Sequence, residues 1–171
     1  MSNKERTVQR LRELGVPFEY YEHPAAFSME DCLALPYAAP DVTFCKNILL
    51  CNRQQTMYYL YVTRPDKPFK TADVSKLLQV SRLSFAPAER LMELLALHSG
   101  SLSPLALWFD EKRAIRLVMD TDCRREGRIA FHPCDNTATV IFSQQVFWSR
   151  VLPSLAREPI LLHVPYPETK A

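Results

Sequence analysis

The stretch FCKNILLCN, residues 44–52, sets a lysine and an asparagine inside an otherwise apolar run. An amide sealed from water without a partner costs roughly 2–7 kcal/mol, and an unpaired ammonium more. Lys46 and Asn47 therefore need either a route to solvent or a task. In an extended chain Phe44, Lys46, Ile48 and Leu50 share one face, while Cys45, Asn47, Leu49 and Cys51 share the other. Two readings of Lys46 stay open: its stem lies along the strand with the head in water, or its ammonium faces a cleft and holds an anionic or ester group.

A second candidate is HSGSLSPLAL, residues 98–107, where Gly100 and Pro104 bracket Ser101, Leu102 and Ser103. Glycine lets backbone come close to a ligand, and the proline stiffens the loop. Exposed N–H groups there could bind an oxyanion or a ribose oxygen; a helix end and then a turn explains the pattern equally well. The third candidate is FHPCDNTATV, residues 131–140, with His132, Asn136 and Thr137 close together where two strand-like runs meet. The alternative is a hairpin with Asp135 and Asn136 as plain turn residues. Cys134 beside His132, or Cys45 beside Lys46, could be a thiolate nucleophile, although a free cysteine is more often a small buried hydrophobe.

The elements that must position these residues can be read from pattern and punctuation. Val8, Leu11 and Leu14 at helical spacing predict a first helix stopped by Gly15. VPFEYYEH reads as a short strand, and Ser28 opens a short helix, MEDCLALP, that Pro36 ends. TFCKNILLC and TMYYLYVTR read as two strands joined by NRQQ. Thr71 caps ADVSKLLQ, SRLSFA is a short strand, and Pro87 sits in the first turn of PAERLMELLAL. PLALWFD with AIRLVMD, and RIAFHPC with TATVIFS, form two further strand pairs. Ser143 opens QQVFWSRVL, Pro153 kinks or ends it, and a tail from about 164 to 171 frays. Tight turns join many of the strands. The pattern predicts an α+β fold: a curled, mixed, largely antiparallel sheet flanked by helices.

Composition narrows the function classes. The chain has 171 residues, 47% hydrophobic and 23% charged, as expected of one ordinary globular domain. A net charge of +2 does not suit a nucleic-acid coating protein but allows a local basic patch. The three glycines, Gly15, Gly100 and Gly127, cannot form a dinucleotide-binding or Walker loop. Five scattered cysteines fit a reducing compartment, and Cys123, His132 and Cys134 match no zinc spacing. No membrane span, secretory leader or DNA-binding motif is evident, so no metal, membrane or DNA partner is expected and the cytoplasm is the expected location.

The order of CKNILLCNRQQTMYYLYV, DKPFKTADVSKLL, SRLSFAPAERLMELLAL, GSLSPLAL and FHPCDNTATVIFS resembles the YbaK-like aminoacyl-tRNA deacylases, within them most closely the ProXp-ala (PrdX) prolyl-tRNA editing proteins, over residues 5–162. The resemblance implies the barrel-like fold of the bacterial prolyl-tRNA synthetase editing domain and hydrolysis of the ester on mischarged tRNA(Pro), Ala-tRNA(Pro) first and Cys- or Ser-tRNA as alternatives. It implies no cofactor, the tRNA acceptor end as partner, and a prolyl-tRNA synthetase as a further candidate partner. Lys46 matches the family's essential lysine, and Gly100 and Pro104 its G-x-x-x-P loop. Asn47, His132, Asn136 and Thr137 match pocket positions, and Ser101 lies within the loop. Ala96 stands where relatives often have a further glycine, and LAREP lacks a Gly-His that many of them show. Met29, Leu33, Val42 and Phe44 are candidate pocket walls, and Arg6, Arg10, Arg12, Arg53, Lys67 and Lys70 are candidate phosphate contacts, few enough for weak, salt-sensitive binding. Two competing readings are a tRNA- or synthetase-binding module without catalysis, and a small-molecule esterase using Cys134 and His132.

Overall fold

The computed structural model describes residues 1–167. Helix α1 (Asn3–Leu14) starts at a capping box: Glu5 N–H donates to Ser2 Oγ and Ser2 N–H donates back to the Glu5 carboxylate. Gly15 closes it at φ +71°, a left-handed backbone that glycine adopts without a Cβ penalty. After β1 (Glu19–Glu22), helix α2 (Met29–Leu33) begins at Ser28, whose Oγ accepts from Asp31 N–H. The strands β2 (Val42–Phe44), β3 (Lys46–Cys51) and β4 (Tyr58–Thr63) come next, then α3 (Thr71–Leu78), β5 (Ser84–Phe85) and α4 (Ala88–Leu95). The chain continues through β6 (Ile115–Asp120), β7 (Arg128–Phe131) and β8 (Ala138–Ser143). It then runs as one helical stretch from α5 (Gln144–Val146) through a π-helical turn (Phe147–Val151) into α6 (Leu152–Ser154), and ends on β9 (Ile160–Leu162).

The strands form two mixed sheets rather than one. The first has the order β1-β8-β7-β2, antiparallel except for the parallel β7/β2 pair. The second has the order β5-β3-β4-β6-β9, where β6 pairs in parallel with both β4 and β9. The main core lies between them. Leu49, Leu60, Val62, Leu117 and Met119 of the second sheet meet Ile129, Phe131, Val140 and Phe142 of the first, with Leu11 of α1 and Leu91 of α4. The outer face of the second sheet is covered by Val74 and Leu83, that of the first by Cys32 and Ala26. Each large apolar side chain of this core contributes about 1.5–3 kcal/mol when fully buried.

Several sequence expectations change. TFCKNILLC is not one strand: it breaks at Cys45, with Val42–Phe44 in one sheet and Lys46–Cys51 in the other. PLALWFD is a buried 3-10 helix, Pro104–Phe109, capped by Ser103. Lys70 rather than Thr71 occupies the cap of α3, and Pro87, expected in the first turn of α4, is its cap. The tail is packed at its start, since Val164 is buried and Tyr166 donates to Asp66, while residues 168–171 lie outside those described. Among the described residues no helix is long and apolar enough to cross a membrane.

Candidate functional site

The break at Cys45 is what places Lys46. Where the chain leaves the first sheet and enters the second, a cleft of about 220 Å³ opens. Its lining includes Lys46 and Asn47 from β3, Ser99 and Gly100 from the loop after α4, and His132 and Thr139 from the β7–β8 pair. Met29, Cys32, Phe44 and Ala130 give it apolar walls, and Phe27 is also part of the lining.

The bend is tied down on both sides. Thr43 of β2 and Arg64, just past β4, both donate to the Glu126 carboxylate. Thr63, the register partner of Lys46, donates to Asp120 at 3.0 Å. The Lys46 ammonium forms no hydrogen bond or ion pair with any described residue. Asn47 turns its Nδ2 back onto the Cys45 carbonyl (3.2 Å), and its buried Oδ1 has no protein partner. A half-buried cation and an unpaired amide oxygen thus belong to residues that line one cleft, as a site for an anionic or carbonyl-bearing ligand requires and as core packing alone does not explain.

The Gly100 loop faces the same cleft from a distant part of the chain. Residues Ser99–Ser101 form a 3-10 turn in which Ser101 N–H donates to the His98 carbonyl (2.9 Å), leaving the N–H groups of Ser99 and Gly100 without an acceptor among the described residues. A Cβ built on Gly100 would meet only Asn136 Nδ2, at 3.7 Å, an ordinary contact. Gly100→Ala should therefore unfold at the temperature of the parent protein. If the glycine is there to leave room for a ligand, the same variant should lose acyl-ester turnover by about tenfold or more; unchanged kinetics would assign the glycine to chain geometry only. Thermal unfolding and single-turnover kinetics on one preparation separate the two. Just upstream, Ala96 closes α4 at φ +56°, which explains why a glycine would be the easier residue there.

His132 has a defined tautomer. Its Nδ1 lies 2.8 Å from the Ala138 carbonyl, an acceptor only, so Nδ1 carries the proton and Nε2 is the lone-pair nitrogen. The Cys32 thiol approaches that lone pair at 3.5 Å. Burial pushes the His132 pKa below its ordinary 6.5, the nearby His23 adds to the shift, and the Ala138 carbonyl and Asp135 oppose it. A histidine whose folded pKa is depressed contributes stability that is complete above the unfolded value and lost as pH falls through the folded one. The expected result is an imidazole titration, monitored by NMR, with its midpoint below 6.5 and a parallel loss of stability that His132→Gln removes. A midpoint at or above 6.5 would contradict the buried, neutral assignment.

The cysteines are not poised as nucleophiles. Burial raises the thiol pKa of Cys32, Cys45 and Cys134, the last to about 11. Cys134 belongs to the main core, and His132 presents Nε2 to Cys32 instead. The Cys134–His132 pair considered from the sequence is therefore not assembled.

Of the eight predicted site residues, Lys46, Asn47, Gly100 and His132 line the cleft, whereas Ser101, Pro104, Asn136 and Thr137 do not. Ser101 is buried, and Pro104 starts the 3-10 helix. Asn136 staples the chain before α2 to the β7–β8 turn: Ala26 N–H donates to its carbonyl (3.0 Å) and its Nδ2 donates to the Ala26 carbonyl (3.1 Å). Thr137 donates to Asp135 at 2.5 Å and accepts from Lys4 at 3.3 Å. Met29 and Phe44 are walls as expected, but Leu33 is 54% exposed and Val42 packs behind the cleft. Lys67 is no phosphate contact, being 4% exposed and bonded to Asp120, Asp122 and the Val164 carbonyl. Cys32 and Thr139 were not anticipated.

Comparison with known proteins places the chain in a family. Residues 23–147 match the aminoacyl-tRNA editing domain family. The prolyl-tRNA editing protein ProX of Acetoanaerobium sticklandii is 28% identical over 145 residues, covering 85% of this chain and 88% of the relative. The prolyl-tRNA synthetase associated domain-containing protein 1 of Bos taurus is 29% identical over 164 residues, covering 91% of each. A crystal structure described as a candidate trans-editing enzyme for prolyl tRNA synthetase superposes with a TM-score of 0.71 at 16% identity, covering 96% of this chain and 99% of that one, and shares its fold. With the family match spanning most of its length and the fold in agreement, the chain belongs to the aminoacyl-tRNA editing domain family.

Proposed function

We propose that the protein is a trans-acting deacylase that hydrolyses the ester between a wrong amino acid and the terminal ribose of tRNA(Pro), with alanyl-tRNA(Pro) as its substrate. The observation that carries this reading is the unpaired Lys46 ammonium in the same cleft as the free N–H groups of Ser99 and Gly100. An aminoacyl ester is already activated, so it needs a held water and compensation for the charge that grows on the carbonyl oxygen. Lys46 and the loop amides are the groups able to supply it. Water adds to the acyl carbon, the carbon–oxygen bond to the ribose breaks, and the ribose oxygen leaves with a proton. A neighbouring ribose hydroxyl can relay that proton, so no strong protein base is required. His132, neutral and with its Nε2 lone pair facing the Cys32 thiol, can orient a donor of the substrate only by accepting from it in place of that thiol.

The walls formed by Met29, Cys32, Phe44 and Ala130 suit a small side chain. Steric exclusion rejects larger residues, whereas one methylene is worth only about 1–3 kcal/mol. The names of the relatives make a prolyl-tRNA synthetase the first protein partner to test, and the cytoplasm, where tRNA is charged, is the matching location. The test is a panel of Ala-, Ser-, Cys- and Pro-tRNA(Pro) under single-turnover conditions. The expected order puts Ala-tRNA(Pro) first and leaves Pro-tRNA(Pro) intact. Preference for the seryl or cysteinyl ester would reassign the substrate, and tRNA binding without any hydrolysis would make the protein a binding module.

A further inference from the structure

Phe27 is 79% exposed and still belongs to the lining of the cleft. Single exposed apolar residues are ordinary on protein surfaces; the backbone that carries this one is not. Phe27 N–H donates to Asp31 Oδ2 at 2.9 Å. On one side of it, Ala26 is 3% exposed and held by both the carbonyl and the side chain of Asn136. On the other, Ser28 caps α2. The ring therefore stands in solvent on a fixed base, at the edge of a cleft that also holds Lys46 and Gly100.

We propose that Phe27 is a stacking platform for the terminal nucleobase of the tRNA. The proposal rests on the reading that the cleft receives the aminoacyl end. An acyl group on the terminal ribose brings the base of that same nucleotide to the cleft edge, and a solvent-facing aromatic ring matches a nucleobase face. Stacking on an aromatic side chain is worth about 1–3 kcal/mol per base, or roughly 5- to 150-fold in affinity. Phe27 reads the base by its flat face and takes no part in the acyl chemistry.

Binding of uncharged tRNA(Pro) ending in the full CCA is compared with the same tRNA lacking its terminal adenosine, by fluorescence anisotropy at one salt concentration. The parent protein should bind the intact tRNA at least about fivefold more tightly. Phe27→Ala and Phe27→Leu should lose that preference and Phe27→Trp should keep it. In deacylation, Phe27→Ala should raise KM with kcat changed less than about threefold. A parent protein without the preference, a Phe27→Leu variant that retains it, or a Phe27→Ala variant that loses kcat at constant KM would each overturn the subsite. The two readings fail separately. Preference for the terminal adenosine without hydrolysis of any ester leaves the platform standing and removes the deacylase, whereas hydrolysis with an unaffected Phe27→Ala variant does the reverse.

Discussion

Lys46→Ala should lower the single-turnover rate of alanyl-tRNA(Pro) hydrolysis by about 100- to 1,000-fold, the usual consequence of removing one donor to a developing oxyanion. Its stability should change by no more than about 0.5 kcal/mol. Both expectations have the same origin: no described residue hydrogen-bonds or pairs with the ammonium, so deleting it strands no partner. The backbone of β3 is held independently, by its register with β4 from Lys46↔Thr63 to Cys51↔Tyr58. Lys46→Arg keeps the charge but presents a planar fork in place of a compact ammonium, so partial activity is expected. A Lys46→Ala variant that retains most of its rate would mean that the loop amides act without it. One that fails to fold would mean that the lysine is structural.

Lys67 should behave in the opposite way. Its ammonium is enclosed by Asp120 Oδ2 (2.7 Å), Asp122 Oδ2 (2.6 Å) and the Val164 carbonyl (2.6 Å), and the Asp120 side chain is fully buried. Lys67→Met leaves a buried carboxylate uncompensated, which costs about 3–5 kcal/mol. Urea unfolding should show that loss, and adding Asp120→Asn should recover part of it. The loss should depend on pH in a defined sense. Lys67 holds the Asp122 carboxyl below its ordinary 3.8. A depressed carboxyl contributes stability that is complete above its unfolded value and disappears as pH falls through the folded one. The gap between parent and variant should therefore be widest above about pH 4 and narrow in acid. A gap below about 1 kcal/mol would show that Lys67 compensates no buried carboxylate, and a pH-independent gap would show that the Asp122 titration is not linked to it.

How far the site could be read from the sequence depended on whether its signals were local. Lys46 and Asn47 stood out because a charge in an apolar run is anomalous wherever it occurs, and Gly100 because the chain has only three glycines. The reason Lys46 reaches a cleft was not legible: the strand changes sheet at Cys45, and neither glycine nor proline marks the break. The face assignment that grouped Phe44 with Lys46, Ile48 and Leu50 fails at that point, since Phe44 packs in the outer cluster of the first sheet and Ile48 and Leu50 in the cluster that includes Val74 of α3. PLALWFD reads as a strand from its apolar run, but Leu105, Ala106 and Leu107 are all buried in the structure, and a short run buried on every side carries no periodicity to separate helix from strand. Lys67 looked like a surface cation because its partners lie 53 and 55 residues away. Asn136 and Thr137 stand out as a cluster; in the structure they fasten turns and are not among the residues lining the cleft.

If the cleft works as proposed, the aminoacyl end enters it beside Phe27 with its acyl carbonyl toward Lys46. A crystal structure of the protein with a stable mimic, 3′-deoxy-3′-(alanylamino)adenosine, in which an amide replaces the ester, would show this placement. The acyl oxygen is expected within hydrogen-bond reach of Lys46 Nζ or the Gly100 N–H, the methyl group among Met29, Cys32, Phe44 and Ala130, and the adenine against the Phe27 ring. A mimic seated outside this cleft, or inside it with the acyl oxygen turned away from both Lys46 and Gly100, would contradict the proposed chemistry.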